Sequence, residues 1–221
     1  MGSDWVGNPT LSATGNTGLN ADVTYQHQRI AASVSVYRDW LGDFIAVEPQ
    51  AKINNVNGVM NRAAQSYQAA SARMTSGEAS VTYSLSNRWF ATAKTAYARG
   101  TKDAILILGI TGTNLAEIPP LSCSLGLRYD QMTTFGEAEV LLAASQQHVD
   151  TDVLEQATPG YGVLNVRVGR RIKALRLTFD LDNVFNTLYL DYLSYQRVPF
   201  RSTVRVREPG RNVYANIFYR F

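Results

Sequence analysis

The residues best suited to ligand chemistry lie between Tyr189 and Pro209, where Tyr192, Tyr195, Arg197, Phe200, Arg201, Arg205 and Arg207 crowd into one segment. Aromatic planes and guanidinium forks together suit flat, anionic ligands such as metal chelates or tetrapyrroles. The same arginines would serve other phosphate-bearing surfaces, or simply keep a loop hydrated. Tyr192, Tyr195, Arg197, Phe200 and Arg201 therefore stand as candidates for ligand contact. Asp150 and Asp152 follow His148 and loosely suggest a divalent ion, although loop carboxylates are ordinarily just solvated. Glu137 and Glu139 would share one face of a strand and could approach a paired-carboxylate geometry. The simpler reading balances them with Arg128 or Arg167 on adjacent strands. Gly109-Ile-Thr-Gly-Thr-Asn114 is glycine-rich, but it lacks the lysine of a phosphate-binding loop and no helix follows it. Cys123 is the single cysteine, which excludes an intrachain disulfide. With no recognisable His partner, it reads as a small buried apolar residue. His27 and His148 fall near opposite strand ends, too far apart to share a metal. No catalytic constellation, resident cofactor or metal site is expected.

The framework that must position these groups is β-rich. The chain of 221 residues carries a net charge of +3, and no basic block stands out, so nucleic acid is not an expected partner. Twelve Tyr, eight Phe and three Trp in a chain only 18% charged suit strands, and equally the aromatic girdles of a membrane barrel. The N-terminal Met-Gly-Ser-Asp-Trp shows neither the charged nor the apolar region of a signal peptide. No stretch approaches the ~20 apolar residues of a membrane helix, but a barrel strand needs only ~9–11 alternating residues.

Period-two alternation recurs along the chain. Leu19 to Tyr25, Ile30 to Val36, Ala79 to Leu85, Leu121 to Tyr129, Ala138 to Ala144, Leu164 to Val168, Leu175 to Leu181 and Val213 to Phe221 each place apolar residues on one parity. Trp89 to Ala98 alternates less cleanly, which brings the strands to nine. Connections alternate too: short after Gln26, Leu85, Tyr129 and Arg170, long after Trp40, Arg99, Ser145 and Tyr189. Outer-membrane barrels have this rhythm of short turns and long extracellular loops. Apart from the less regular Trp89 to Ala98, the apolar parity carries no charge, whereas the polar parity carries both signs. That suits a wet or plugged lumen better than the dry core of a soluble sandwich.

Several segments resemble TonB-dependent outer-membrane receptors. Pro209-Gly-Arg-Asn-Val-Tyr-Ala-Asn-Ile-Phe-Tyr-Arg-Phe221 looks like the family's closing strand, and Asp182-Asn-Val-Phe-Asn-Thr-Leu-Tyr189 is similar to its penultimate-strand pattern. Leu115-Ala-Glu-Ile-Pro-Pro-Leu121 resembles an Ile-Pro-Pro strand entry, and Gly7-Asn-Pro-Thr-Leu11 an upstream Asn-Pro-x-Leu element. After the latter, the usual Pro-Glu is replaced by Ala13-Thr14. The resemblance implies an all-β antiparallel meander of about nine or ten strands, part of a transmembrane β-barrel. Residues 1–15 would be a lead-in, with Asp4 to Leu11 available as an extra strand, and 16–221 the C-terminal barrel portion. It also implies uptake of a scarce nutrient (a ferric siderophore, another metal chelate or cobalamin) across a bacterial outer membrane. Ile217, Tyr219 and Phe221 would form the signal read by the barrel-assembly machinery. Implied partners are outer-membrane lipid and lipopolysaccharide, the remaining strands, the plug domain, and the TonB complex acting through that plug, neither plug nor TonB-contacting box being recognisable in this sequence. Alternatives are a small self-closed outer-membrane barrel, porin-like or enzymatic, and a soluble ligand-binding β-sandwich. An unclosed set of strands would leave unpaired edges in lipid, each group costing several kcal/mol.

Overall fold

Alternating sequences joined by turns of two to four residues can satisfy their backbone by pairing each strand with its predecessor. The computed structural model describes residues 4–53, 62–198 and 201–220. After the two-residue β1 (Asp4–Trp5) come β2 (Gly15–His27), β3 (Ile30–Ile53), β4 (Arg62–Ser84) and β5 (Trp89–Lys102). They are followed by β6 (Ser122–Gln131), β7 (Thr134–Ala143), β8 (Tyr161–Ile172) and β9 (Leu175–Asp182). A hairpin of β10 (Tyr195–Val198) and β11 (Arg201–Arg205) precedes β12 (Asn212–Tyr219). The meander runs β2-β3-β4-β5-β6-β7-β8-β9-β12, all antiparallel, and matches the nine expected strands. Its edges, β2 and β12, do not pair with each other, so the described sheet is open.

Register decides what each face carries. One row across the sheet reads Tyr25, Ala32, Val81, Ala93, Leu125, Val140, Leu164. The row beside it, pointing to the other face, reads Gln26, Ala31, Thr82, Thr92, Gly126, Glu139, Asn165. A further polar row runs Arg128, Glu137, Arg167, Asp180, Tyr214. Its charges alternate in sign: Arg128 pairs with Glu137 at 3.6 Å and with Asp130 at 2.7 Å, and Arg167 pairs with Asp180. Glu137 is thus balanced by its cross-strand arginines, whereas Glu139 lies opposite Gly126 and Asn165 and accepts from the Ser124 hydroxyl. On the apolar face, Leu19, Leu125 and Ile217 remain 68%, 46% and 75% exposed. No second layer covers this face among the described residues, so the arrangement is not a sandwich. Trp89 and Tyr129 meet at 5.1 Å between ring centroids beside the short turns. Tyr25, Tyr83 and Tyr219 lie at the same end on the apolar parity.

Two segments depart from expectation. The connection after Trp40 is not simply a loop, because β3 continues to Ile53 and β4 begins at Arg62, giving ribbons of 24 and 23 residues. Register shifts between Leu41 and Phe44 and between Glu48 and Ala51 interrupt the alternation there. The N-terminal segment does not extend the meander's edge. Asp4–Trp5 pairs in parallel with Ala64 and Gln65 of β4, off the main path. Asn8 Nδ2 then donates to the Tyr67 carbonyl at 2.9 Å.

Candidate functional site

The long connections all emerge at one end of the meander, and two of them are welded at Lys102, the last residue of β5. The chain leaves β5, makes a tight turn at Leu106–Leu108, and returns. Gly109, at φ 71°, closes that turn. Ile105 and Ile110 bridge its stem, and Ile110 is wholly buried with Ala46 and Ala70 of the long ribbon. The returning strand rejoins β5, Lys102 N–H donating to Thr113 O at 2.9 Å and Leu115 N–H to Gly100 O at 3.1 Å. The connection 144–160 folds back through a Gln146–Thr158 bridge. Its single helical turn, Thr151–Val153, is capped by Asp150, whose carboxylate accepts from Asp152 N–H at 3.0 Å.

Lys102 Nζ sits 2.6 Å from Asp150 Oδ2 and 3.1 Å from Asp152 Oδ2, with all three side chains nearly inaccessible. Asp152 Oδ1 also accepts from Thr111 N–H at 3.1 Å and Gly112 N–H at 3.0 Å. The glycine-rich segment therefore does hold an anion, but the anion is the protein's own carboxylate. Glu155 accepts from Asp150 N–H and Glu117 N–H, each at 2.9 Å. Asn114 donates to Val149 O, and Gln146 to Ile118 O. Burial pushes Asp150 above the usual carboxylate range, outweighing the hydrogen bond and charge of Lys102. For Asp152 burial acts in the same upward sense, but the Gly112 and Thr111 N–H groups together with Lys102 hold it below that range.

The third long connection, 183–211, leans on the second. Tyr192 is 1% exposed. Arg205 lies over its ring at 4.9 Å, donates to its carbonyl, and donates to Gln156 O at 2.6 Å. Burial against Glu155 raises the Tyr192 hydroxyl above its ordinary range, so it remains protonated. Tyr161 OH donates to Asp191 at 3.1 Å, and its ring meets Tyr189 at 4.4 Å between centroids. Asn183 and Asn186 both adopt left-handed backbone conformations. Asn183 accepts from Thr187 N–H and donates to Thr187 O, both at 2.8 Å, while Asn186 accepts from Arg211 N–H at 2.9 Å just before β12. Hydrogen bonds and ring contacts thus tie the described parts of these connections to one another.

Of the ligand-contact candidates, Tyr192 is placed as a buried anchor under Arg205. Tyr195 and Arg197 lie on β10 and Arg201 on β11; Phe200 lies outside the described residues. Ile217 and Tyr219 project from the exposed apolar face of β12, and Phe221 lies outside the described residues. His27 and His148 are at opposite ends of the sheet, and His148 is exposed. Asp150 and Asp152 face Lys102 and not His148. Among the described residues, no group of three or more His, Cys, Asp or Glu side chains is arranged to hold a metal ion. Lys102 and Glu155 escaped the reading of the sequence, since nothing local marks a lone strand-end lysine whose partner is 48 residues away.

Residues 2–184 match the family described as TonB dependent receptor-like, beta-barrel. No curated protein sequence matches the chain. Among solved structures, the chain is similar to the copper transporter OprC, with a TM-score of 0.76 and 22% identity over 96% of this chain and 32% of that one. It is similar to the FrpB iron transporter from Neisseria meningitidis, with a TM-score of 0.72 and 14% identity over 99% and 33%. It is also similar to the ferric yersiniabactin uptake receptor FyuA from Yersinia pestis, with a TM-score of 0.64 and 15% identity over 93% and 30%. The chain thus spans about a third of the length of each of these structures.

Proposed function

Because the chain belongs to the TonB dependent receptor-like β-barrel family, we propose that it forms wall and capture loops of an outer-membrane transporter for a scarce nutrient. The cargo class is a metal chelate such as a ferric siderophore, or cobalamin. One observation carries the reading: nine antiparallel strands present an uncovered apolar row on one face and a charged, hydroxyl-rich row on the other. In a bilayer the first row faces acyl chains and the second an aqueous or plugged interior. The short turns then lie on the periplasmic side and the welded long loops outside the cell. The similar structures are named as copper and iron transporters and a ferric chelate receptor, which supports a metal-bearing cargo.

In this scheme 16–221 is barrel and 1–15 its lead-in. Tyr192, Tyr195, Arg197, Phe200 and Arg201 belong to the capture loop, with Tyr192 acting through its anchoring contact. Ile217, Tyr219 and Phe221 carry the assembly signal. Lipid and lipopolysaccharide surround the wall, a plug domain occupies the interior, and the TonB complex acts on that plug. The test is uptake in the native cell. Deleting the gene that encodes this chain should abolish TonB-dependent accumulation of at least one radiolabelled ferric, cupric or cobalamin compound, and restoring it should recover uptake. Unchanged accumulation across that panel would refute the transport reading.

A further inference from the structure

Three arginines gather on the polar face at the turn end of the last strands. Arg171 and Arg176 stand directly opposite each other across β8 and β9. Arg220 follows β12, its N–H bonded to Ala174 O at 3.0 Å. Two concavities of about 410 and 380 Å³ meet here, and Arg171 and Arg176 line both of them. Arg220 and Phe218 line the second. All three arginines are exposed. Among the described residues none of them has a carboxylate partner, unlike Arg128 and Arg167 in the same polar face. Like charges directly opposed across a strand pair destabilise it, and a bound anion would relieve that repulsion.

The parity of these residues decides which anion can reach them. Arg171 and Arg176 share the face of Arg167 and Asp180, whereas Arg170, which also borders the larger concavity, takes the parity of Val166 and Val168, opposite Leu177. An occupant touching all three must approach from the polar side of the sheet. We propose that an acidic segment of the polypeptide filling the barrel interior docks on Arg171, Arg176 and Arg220, its carboxylates engaging the guanidinium forks at the turn-side mouth. This rests on the barrel reading above.

The test uses the native protein in isolated outer membranes, with a photo-crosslinking p-benzoylphenylalanine in place of Phe218. Mass spectrometry should map the adduct to a segment of the same receptor with clustered Asp and Glu. The yield should fall at least tenfold in an Arg171→Gln, Arg176→Gln, Arg220→Gln variant and hold in Arg29→Gln, an exposed arginine of another short turn that lines neither concavity. Restoring the yield by Arg176→Glu combined with lysines in the mapped segment would support the pairing directly. Adducts to lipid alone, adducts to a non-acidic segment, or a yield indifferent to the three substitutions would each overturn the docking. Recovery of the protein in the soluble fraction would instead sink the barrel reading, and the docking with it.

Discussion

Lys102 is a buried ammonium that is tolerable only because two carboxylates meet it. Lys102→Met removes the cation and leaves Asp150 and Asp152 facing each other out of water, a change that costs about 3–5 kcal/mol when a buried pair is broken. That cost should appear as faster hydrogen exchange and proteolysis in 103–121 and 144–160, with the strands unaffected. Gly112 has a related constraint, since a Cβ there would come within 2.6 Å of Asp150 Oδ1 and 3.0 Å of Asp152 Oδ2. Gly112→Ala should therefore loosen the same two loops. The two aspartates respond oppositely to acid. Asp152 titrates below the ordinary 3.8 when folded, so its contribution holds above 3.8 and is lost as pH falls through its depressed value. Asp150 titrates above 3.8 and takes up its proton first, which relieves a buried charge. Loop protection should persist from neutral pH down to about 3.8 and collapse only below it; exchange that accelerates at higher pH would contradict the assignment. Asp152→Asn should loosen the loops more than Asp150→Asn.

At the scale of elements, the faces of the strands make opposite predictions. Leu125→Arg places a guanidinium on the apolar face and should cost about 2–4 kcal/mol at mid-bilayer depth. Thr92→Arg, on the polar face near Glu139, should leave stability in the membrane nearly unchanged. Chemical denaturation of the reconstituted protein separates the two, and equal costs would argue against a lipid-facing row. The strands from Leu19 to Val36 and, Trp89 to Ala98 being less regular, from Ala79 onward were legible because period two is written in their side chains. The outer halves of β3 and β4 were not. Two bulges flip the parity between Leu41 and Ala51, and Ala63, Ala64, Ala69, Ala70 and Ala72 give little strand preference. Residues 182–189 were legible as a motif, and the structure supplies its physics: Asn183 and Asn186 accept the left-handed turns that steer the chain from β9 into the following loop. The Lys102 site was legible only in part. Asp150, Asp152 and Gly112 all drew notice, but each for a metal or phosphate, because the cation that satisfies them arrives from another strand.

At the scale of the molecule, nine strands in a meander leave β2 and β12 running the same way. Joining these edges directly would be a parallel pairing, so wholly antiparallel closure needs an odd number of further strands between them. The chain by itself should therefore not give a folded, heat-modifiable monomer in detergent, because two unpaired edges would remain in an apolar medium. Electrophoresis of refolded samples with and without boiling checks this; a compact species shifting to full apparent mass on heating would contradict it.

The central claim is that neighbouring side chains on each strand see hydrocarbon and water in turn. The direct measurement places nitroxide labels one at a time from Cys123 to Arg128 in the membrane-embedded protein and compares collisions with oxygen and with a water-soluble nickel chelate. Positions 123, 125 and 127 should favour oxygen, while 124, 126 and 128 should favour the chelate. Labels at 125, 166 and 177 shielded from both reagents, as beneath a second layer of polypeptide, would contradict the account.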